Sequence, residues 1–258
     1  MTGTLKQDLR AGRTCIGTVV TINSTVVAEI LSRSGVDYLW FDLEHTTLTV
    51  EQLETLAQAA AASGISTLAR VPWNDKIAIK RALDTGVDGV IVPEVSSAEE
   101  AEQAVRAATY APRGVRGIGL GRACGWGVRL TEYIRTADQD MLVIPMIETL
   151  DGLRNVRDIV RVDGVDGVLL GSLDLAMEMG LGDQVDHPRV EQAHRDVLAA
   201  CDEAGAWCGI VTLVPESANT RIRQGFRNVV LGIDIDVLGR FAGQVAAVDR
   251  SASMATTE

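Results

Sequence analysis

Val36-Asp37-Tyr38-Leu39-Trp40-Phe41-Asp42-Leu43-Glu44-His45 is the stretch from which the rest of the chain can be read. Tyr38 to Phe41 is an unbroken apolar run, the pattern of a strand covered on both faces in a parallel sheet. It stops in three titratable side chains, Asp42, Glu44 and His45, which are costly at a buried strand end unless paired or used. His45 is one of only 3 histidines in 258 residues. Taken alone, the stretch fits a capped strand end as well as a site.

Outward from it, β-rich runs alternate with helical stretches. The strands are expected at 14–21, 38–42, 66–71, 89–93, 141–148, 167–171, 207–212 and 228–232. Helices are expected at 24–34, 49–62, 75–85, 97–108, 152–160, 188–204 and 215–224, with a closing helix over 236–248. Thr49-Val50-Glu51-Gln52 and Ser97-Ala98-Glu99-Glu100 read as capping boxes, and Val50, Leu53, Leu56, Ala57 and Ala60 recur at helical spacing. Glycines 64, 86 and 205 sit just past helices, where a left-handed residue is favoured. Gly35-Val36-Asp37, Gly86-Val87-Asp88 and Gly164-Val165-Asp166 use the same turn from helix into strand. Eight βα units without a dividing linker predict a single-domain (β/α)₈ TIM barrel over 1–250, with 251–258 as a tail. A doubly wound sheet is the rival, but no strand is followed by GxGxxG. The glycine-rich segment 111–140 reads as a long loop covering the carboxyl-terminal mouth.

Composition narrows the function. Hydrophobic residues make up 47% of the chain, enough for a sizeable core, and the net charge is −11. With no basic cluster, nucleic acid and anionic membranes are poor partners. No apolar run approaches the ~20 residues of a membrane span, and the amino terminus lacks a signal core. Cys15, Cys124, Cys201 and Cys208 show no CxxC spacing, which fits a reduced cytoplasm.

In such a barrel the residues just past the strands converge on one mouth. They are His45, Arg70, Glu94, Glu148 and Asp174. Each has an ordinary reading as a surface charge or a helix partner, but together they suggest chemistry. Glu148 and Asp174 on adjacent strands make a half-filled site for Mg²⁺ or a similar hard ion. Zinc is less suited, because His187 and His194 lie seven apart on or near a helix. Arg70 suits a carboxylate or 2-oxo acid, and His45 a proton transfer near neutral pH. No Ser or Cys nucleophile motif is present, and Lys76 and Lys80 fall on a helix, away from the barrel interior.

These motifs resemble the HpcH/HpaI aldolase/citrate lyase family, whose members include metal-dependent class II pyruvate aldolases. The resemblance runs from about Gly17 to Val248. It is carried by Asp42-Leu43-Glu44-His45, Ala69-Arg70-Val71, Leu83-Asp84-Thr85-Gly86, Val92-Pro93, Tyr110-Ala111-Pro112-Arg113-Gly114-Val115-Arg116-Gly117, Arg122-Ala123, Ile147-Glu148-Thr149 and Gly171-Ser172-Leu173-Asp174-Leu175. It implies a lyase that reversibly cleaves a 4-hydroxy-2-oxo acid to pyruvate and an aldehyde, with a metal-stabilised enolate between. It further implies that Glu148 and Asp174 hold Mg²⁺, Mn²⁺ or Co²⁺, that Arg70 binds pyruvate, and that His45 moves the proton with Asp84 orienting it. The amides of Gly171, Ser172 and Leu173 would cradle the pyruvate carboxylate, Arg122 would assist substrate binding, and the assembly would be a hexamer, a trimer of dimers with exchanged C-terminal helices. Two positions depart from the family pattern: Met146 stands where glutamine is frequent, and Ser172 where proline is. Two other readings are a malyl- or citryl-CoA-type lyase, for which no basic adenine-phosphate cluster stands out, and a non-catalytic 2-oxo acid binding protein.

Overall fold

The computed structural model describes residues 4–248; the expected tail, 251–258, lies outside them. Strands β1 (Cys15–Val20), β2 (Tyr38–Asp42), β3 (Ser66–Arg70), β4 (Gly89–Val92), β5 (Leu142–Ile147), β6 (Gly167–Leu170), β7 (Trp207–Thr212) and β8 (Asn228–Ile233) form a closed barrel. Every neighbouring pair is parallel, and β8 closes back on β1. The helices are α1 (Leu5–Arg10), α2 (Thr25–Ser32), α3 (Val50–Ala61), α4 (Lys76–Asp84), α5 (Ala98–Ala108), α6 (Leu130–Asp140), α7 (Leu150–Ile159), α8 (Ser172–Glu178), α9 (Pro188–Ala204), α10 (Pro215–Gln224) and α11 (Asp234–Ala246). No described helix is long and apolar enough to cross a membrane.

Alternation along each strand builds two apolar layers. On β2, Leu39 and Phe41 face outward to the helix layer, while Tyr38 and Trp40 face the barrel interior. The interior also takes Leu68 from β3, Leu142, Ile144 and Met146 from β5, and Leu169 from β6. Counting two residues on from each series gives the next inward position: Asp42, Arg70, Glu148 and Gly171. The side-chain period of a strand therefore places the polar residues as the top layer of a packed interior. At the other end, α1 closes the barrel with Leu5 and Leu9, and buried Lys6 donates to the Met141 carbonyl at 2.9 Å and pairs with Asp166 at 2.9 Å.

Local chemistry explains the turns. Thr49 and Gln52 form the expected capping box. At α5 only half of one forms: Ser97 accepts the Glu100 amide, while the Glu100 carboxylate turns back to the Ser96 amide at 2.7 Å. In the repeated Gly-Val-Asp turn the glycine has positive φ, +92° at Gly35 and +82° at Gly86. In two of the three copies the aspartate accepts an amide of the preceding strand, Asp37 from Ile16 at 2.8 Å and Asp88 from Thr67 at 2.7 Å, while Asp166 pairs with Lys6 and Arg10.

Segment 111–140 departs from expectation in place and in form. It follows α5, which runs back toward the amino-terminal end of the strands, so it lies over the outside of α4 and on the amino-terminal face. There Arg116 donates to Asp84 at 3.0 Å, and Arg122 donates to the Thr85 carbonyl at 2.8 Å. It covers the end opposite the expected mouth. Its second half is α6, whose Tyr133 stacks edge-on against Tyr110.

Candidate active site at the carboxyl-terminal mouth

Arg70 is the hub. Its Nε and Nη2 donate to the two carboxylate oxygens of Asp42 at 2.8 and 2.6 Å, and its guanidinium lies 4.9 Å from the Trp40 ring centroid. Burial works against the cation, but the bond to Asp42 and the charges of Asp42, Glu44 and Glu148 outweigh it and hold the guanidinium charged. The planar fork is thus turned onto Asp42, not toward the mouth. Nη1 is the group not bound to Asp42; it donates weakly to Met146 Sδ at 3.9 Å and lies 2.9 Å from Glu44 Oε2. That contact is out of line for a hydrogen bond, and Glu44 Oε2 remains a buried oxygen without a partner among the described residues. Burial first, against the pull of Arg70 and His45, holds the Glu44 carboxyl above its ordinary range.

Glu148, at the end of β5, is 6% exposed. Its Oε1 accepts the Glu94 amide at 2.7 Å. Glu94 makes that bond from a left-handed backbone, φ 52°, a conformation costing a non-glycine residue about 1–2 kcal/mol. Its contribution to the site is therefore an amide. Burial, and then the charges of Glu44 and Asp174 working against the Glu94 bond, push the Glu148 carboxyl up to about 7. Gly171 is pressed against it: a Cβ there would meet Glu148 Cβ at 2.5 Å. Asp174 follows on the exposed side of the first turn of α8.

The chemistry of these donors suits a hard divalent ion. An acid whose carboxyl is pushed up by burial beside other acids is relieved by a cation, and two carboxylates leave most of an octahedron for water and substrate oxygens. Among the described residues there is no cage of three or more His, Cys, Asp or Glu side chains, so water or substrate oxygens would complete the shell of such an ion.

His45 stands at the rim, its side chain 66% exposed and Nε2 3.6 Å from Glu44 Oε2. Asp84 and Arg122 are not brought to it. Asp84 ends α4 and Arg122 begins a 3₁₀ turn, Arg122–Cys124, between α5 and α6; both lie on the amino-terminal face, so within one chain the barrel separates them from His45. Sequence reasoning had Asp42 and Glu44 in view but not as the partners of Arg70. The signal was available in the alternation, since Asp42 and Arg70 are cross-strand neighbours in register.

The third histidine group lies behind α8. His194, 1% exposed, bonds Ser172 Oγ through Nε2 at 2.9 Å. Burial, with the nearby Arg221 charge, pushes its imidazole down to about 4, against the pull of Glu191 and Asp186. Unfolding frees it to take a proton near pH 6.5, so the stability it contributes is present above pH 6.5 and is lost as pH falls toward 4. That loss is on the order of 3 kcal/mol. Urea unfolding at pH 7.5 and 5 is expected to show a smaller acid penalty for His194→Gln than for the wild type.

A closed parallel barrel whose carboxyl-terminal mouth gathers a buried arginine and buried acids is the architecture of an α/β-barrel enzyme. The comparisons specify it further. The HpcH/HpaI aldolase/citrate lyase family profile matches residues 16–239, and the chain belongs to that family. A Klebsiella pneumoniae 4-hydroxy-2-oxo-heptane-1,7-dioate aldolase is 39% identical over 96% of this chain and 94% of its own. The Shigella sonnei protein of the same name is 37% identical over 96% and 95%. A crystal structure of a family protein from Burkholderia cenocepacia superposes with a TM-score of 0.89 at 31% identity, covering 94% of this chain and 97% of the other. The protein is accordingly an enzyme of the aldolase type, a carbon–carbon lyase, in a family whose aldolases are generally metal-dependent.

Proposed function

We propose that the enzyme reversibly cleaves a 4-hydroxy-2-oxo acid into pyruvate and an aldehyde at the Glu148–Asp174 mouth, with Mg²⁺, Mn²⁺ or Co²⁺ as the ion. The observation that carries this reading is the buried Glu148 beside Asp174 and Arg70. A bound ion would supply a Lewis acid for the 2-oxo group. Arg70, held by Asp42, offers Nη1 to the oxygen on which negative charge grows as the C3–C4 bond breaks; such preorganised charge is worth several kcal/mol in a water-poor site. His45 takes the C4 hydroxyl proton in cleavage and returns it in synthesis. The first-turn amides of α8, at Ser172 and Leu173 beyond Gly171, carry no side-chain cap and are free to meet the pyruvate carboxylate.

Asp84 and Arg122 serve this mouth only if a second copy brings its amino-terminal face to it. The expected hexamer provides for such an encounter, and the apolar side chains Ile235, Leu238 and Phe241 exposed on α11 fit a subunit contact.

The test is enolisation without an aldehyde. Metal-loaded protein is expected to exchange the methyl protons of pyruvate with deuterated water, followed as loss of the methyl NMR signal. Arg70→Lys keeps the charge but replaces the planar fork on the two Asp42 oxygens, and its separate outward donor, by a single point of charge. Exchange and cleavage should fall together, as when an interaction with a shared enolate is lost. Folded, metal-loaded wild type that leaves pyruvate unexchanged would favour a 2-oxo acid binding protein.

A further inference from the structure

We infer that His194 is a positioning residue of the metal centre: through its bond to Ser172 it sets the first turn of α8, and with it where Asp174 presents its carboxylate relative to Glu148. The inference rests on Glu148 and Asp174 being the metal ligands.

Helix α8 is only 7 residues long and starts at Gly171 without a side-chain cap. Such a helix has little intrinsic stability, and Leu173, Asp174, Met177 and Glu178 are all exposed. The side-chain bond of its first turn is Ser172 Oγ to His194 Nε2, 2.9 Å. Successive helical residues are about 100° apart, so Ser172 and Asp174 point to roughly opposite sides. Pinning Ser172 inward on α9 therefore fixes the rotation that turns Asp174 toward the mouth. Translation is fixed by Gly171, whose contact with Glu148 leaves no room for a Cβ.

His194 is itself braced from behind. Its Nδ1 lies 3.7 Å from Glu191 Oε1, which accepts Arg221 Nη1 at 2.6 Å; Arg221 Nη2 also reaches Asp186 at 3.2 Å. The ring packs edge-on against Phe226 at 6.1 Å between centroids. A buried polar line thus runs from α10 through α9 to α8. With the ring neutral, a proton on Nδ1 faces the Glu191 carboxylate and leaves Nε2 to accept the Ser172 hydroxyl. At 3.7 Å Nδ1 has no hydrogen bond of its own among the described residues. An apolar side chain would fill this place without that desolvation cost. What the imidazole adds is a directional bond on Ser172.

Mn²⁺ binding by calorimetry on the folded protein tests this without reference to turnover. Partners behind a ligand typically change metal affinity by about 10–100-fold, and one step removed the lower end applies. Ser172→Ala and His194→Leu should each weaken Mn²⁺ binding by about tenfold, the double variant no more than either, and His194→Gln should recover most of the loss. A side chain that only supports the core would lower Tm and leave the Mn²⁺ affinity unchanged. Wild-type affinity in Ser172→Ala overturns the inference, and that variant decides the matter if His194→Leu fails to fold. Additive losses in the double variant also overturn it, since His194 would then act other than through Ser172. Wild-type protein that takes up no Mn²⁺ would overturn the metal assignment beneath it.

Discussion

Stripping divalent ions with a chelator is expected to abolish carbon–carbon cleavage, and adding back Mg²⁺, Mn²⁺ or Co²⁺ to restore it. Glu148 is buried against Gly171, fixed by the Glu94 amide and driven up to about 7 by burial and neighbouring acids. Without a cation the mouth is a cluster of acids facing a substrate that must itself become more negative. A cation worth several kcal/mol of charge stabilisation changes the rate by about 10³-fold or more. Asp174→Asn removes one of the two proposed charged ligands and should reproduce most of the loss at ordinary metal concentrations, with part of the activity returning in large excess. Full activity in a metal-free preparation, checked by elemental analysis, would remove the class II assignment.

His45→Ala is expected to slow cleavage by roughly 10²–10⁴-fold, the span of a lost general acid–base. Its side chain is 66% exposed at the rim, and its near neighbour is Glu44 at 3.6 Å. It is therefore free to meet a hydroxyl on an incoming substrate, and it takes no part in holding Glu148 or Arg70. Mn²⁺ affinity should stay near the wild-type value, and pyruvate should still bind. A His45→Ala protein that has also lost its metal would make His45 a ligand and reverse the roles proposed here.

The barrel was legible because two periods agree over the whole chain: apolar strand runs, and amphipathic stretches with their own caps between them. Elements with weaker internal signals were missed. Helix α6 lies in a segment whose glycines suggested a loop, α8 is too short to show a period, and α1 is recognisable mainly by what it plugs. Strand ends were readable to within a residue or two, and that sufficed to place Arg70 and Glu148 in one layer, since alternation along a strand is set by the backbone.

The eight βα units, the mouth at the strands' carboxyl ends and the types of side chain that gather there can all be read from the chain of residues alone. Those follow from backbone periodicity and from the cost of leaving charges at buried strand ends. Which charges meet depends on the folded packing. It turned the Arg70 fork onto Asp42 and put Glu94 to work through its amide. It carried Asp84 and Arg122 to the amino-terminal face, because a helix returning from the mouth delivers its last residues to the far end. It also joined Ser172 to His194, 22 residues apart, because α8 and α9 pack side by side and a hydroxyl and an imidazole buried between them satisfy each other.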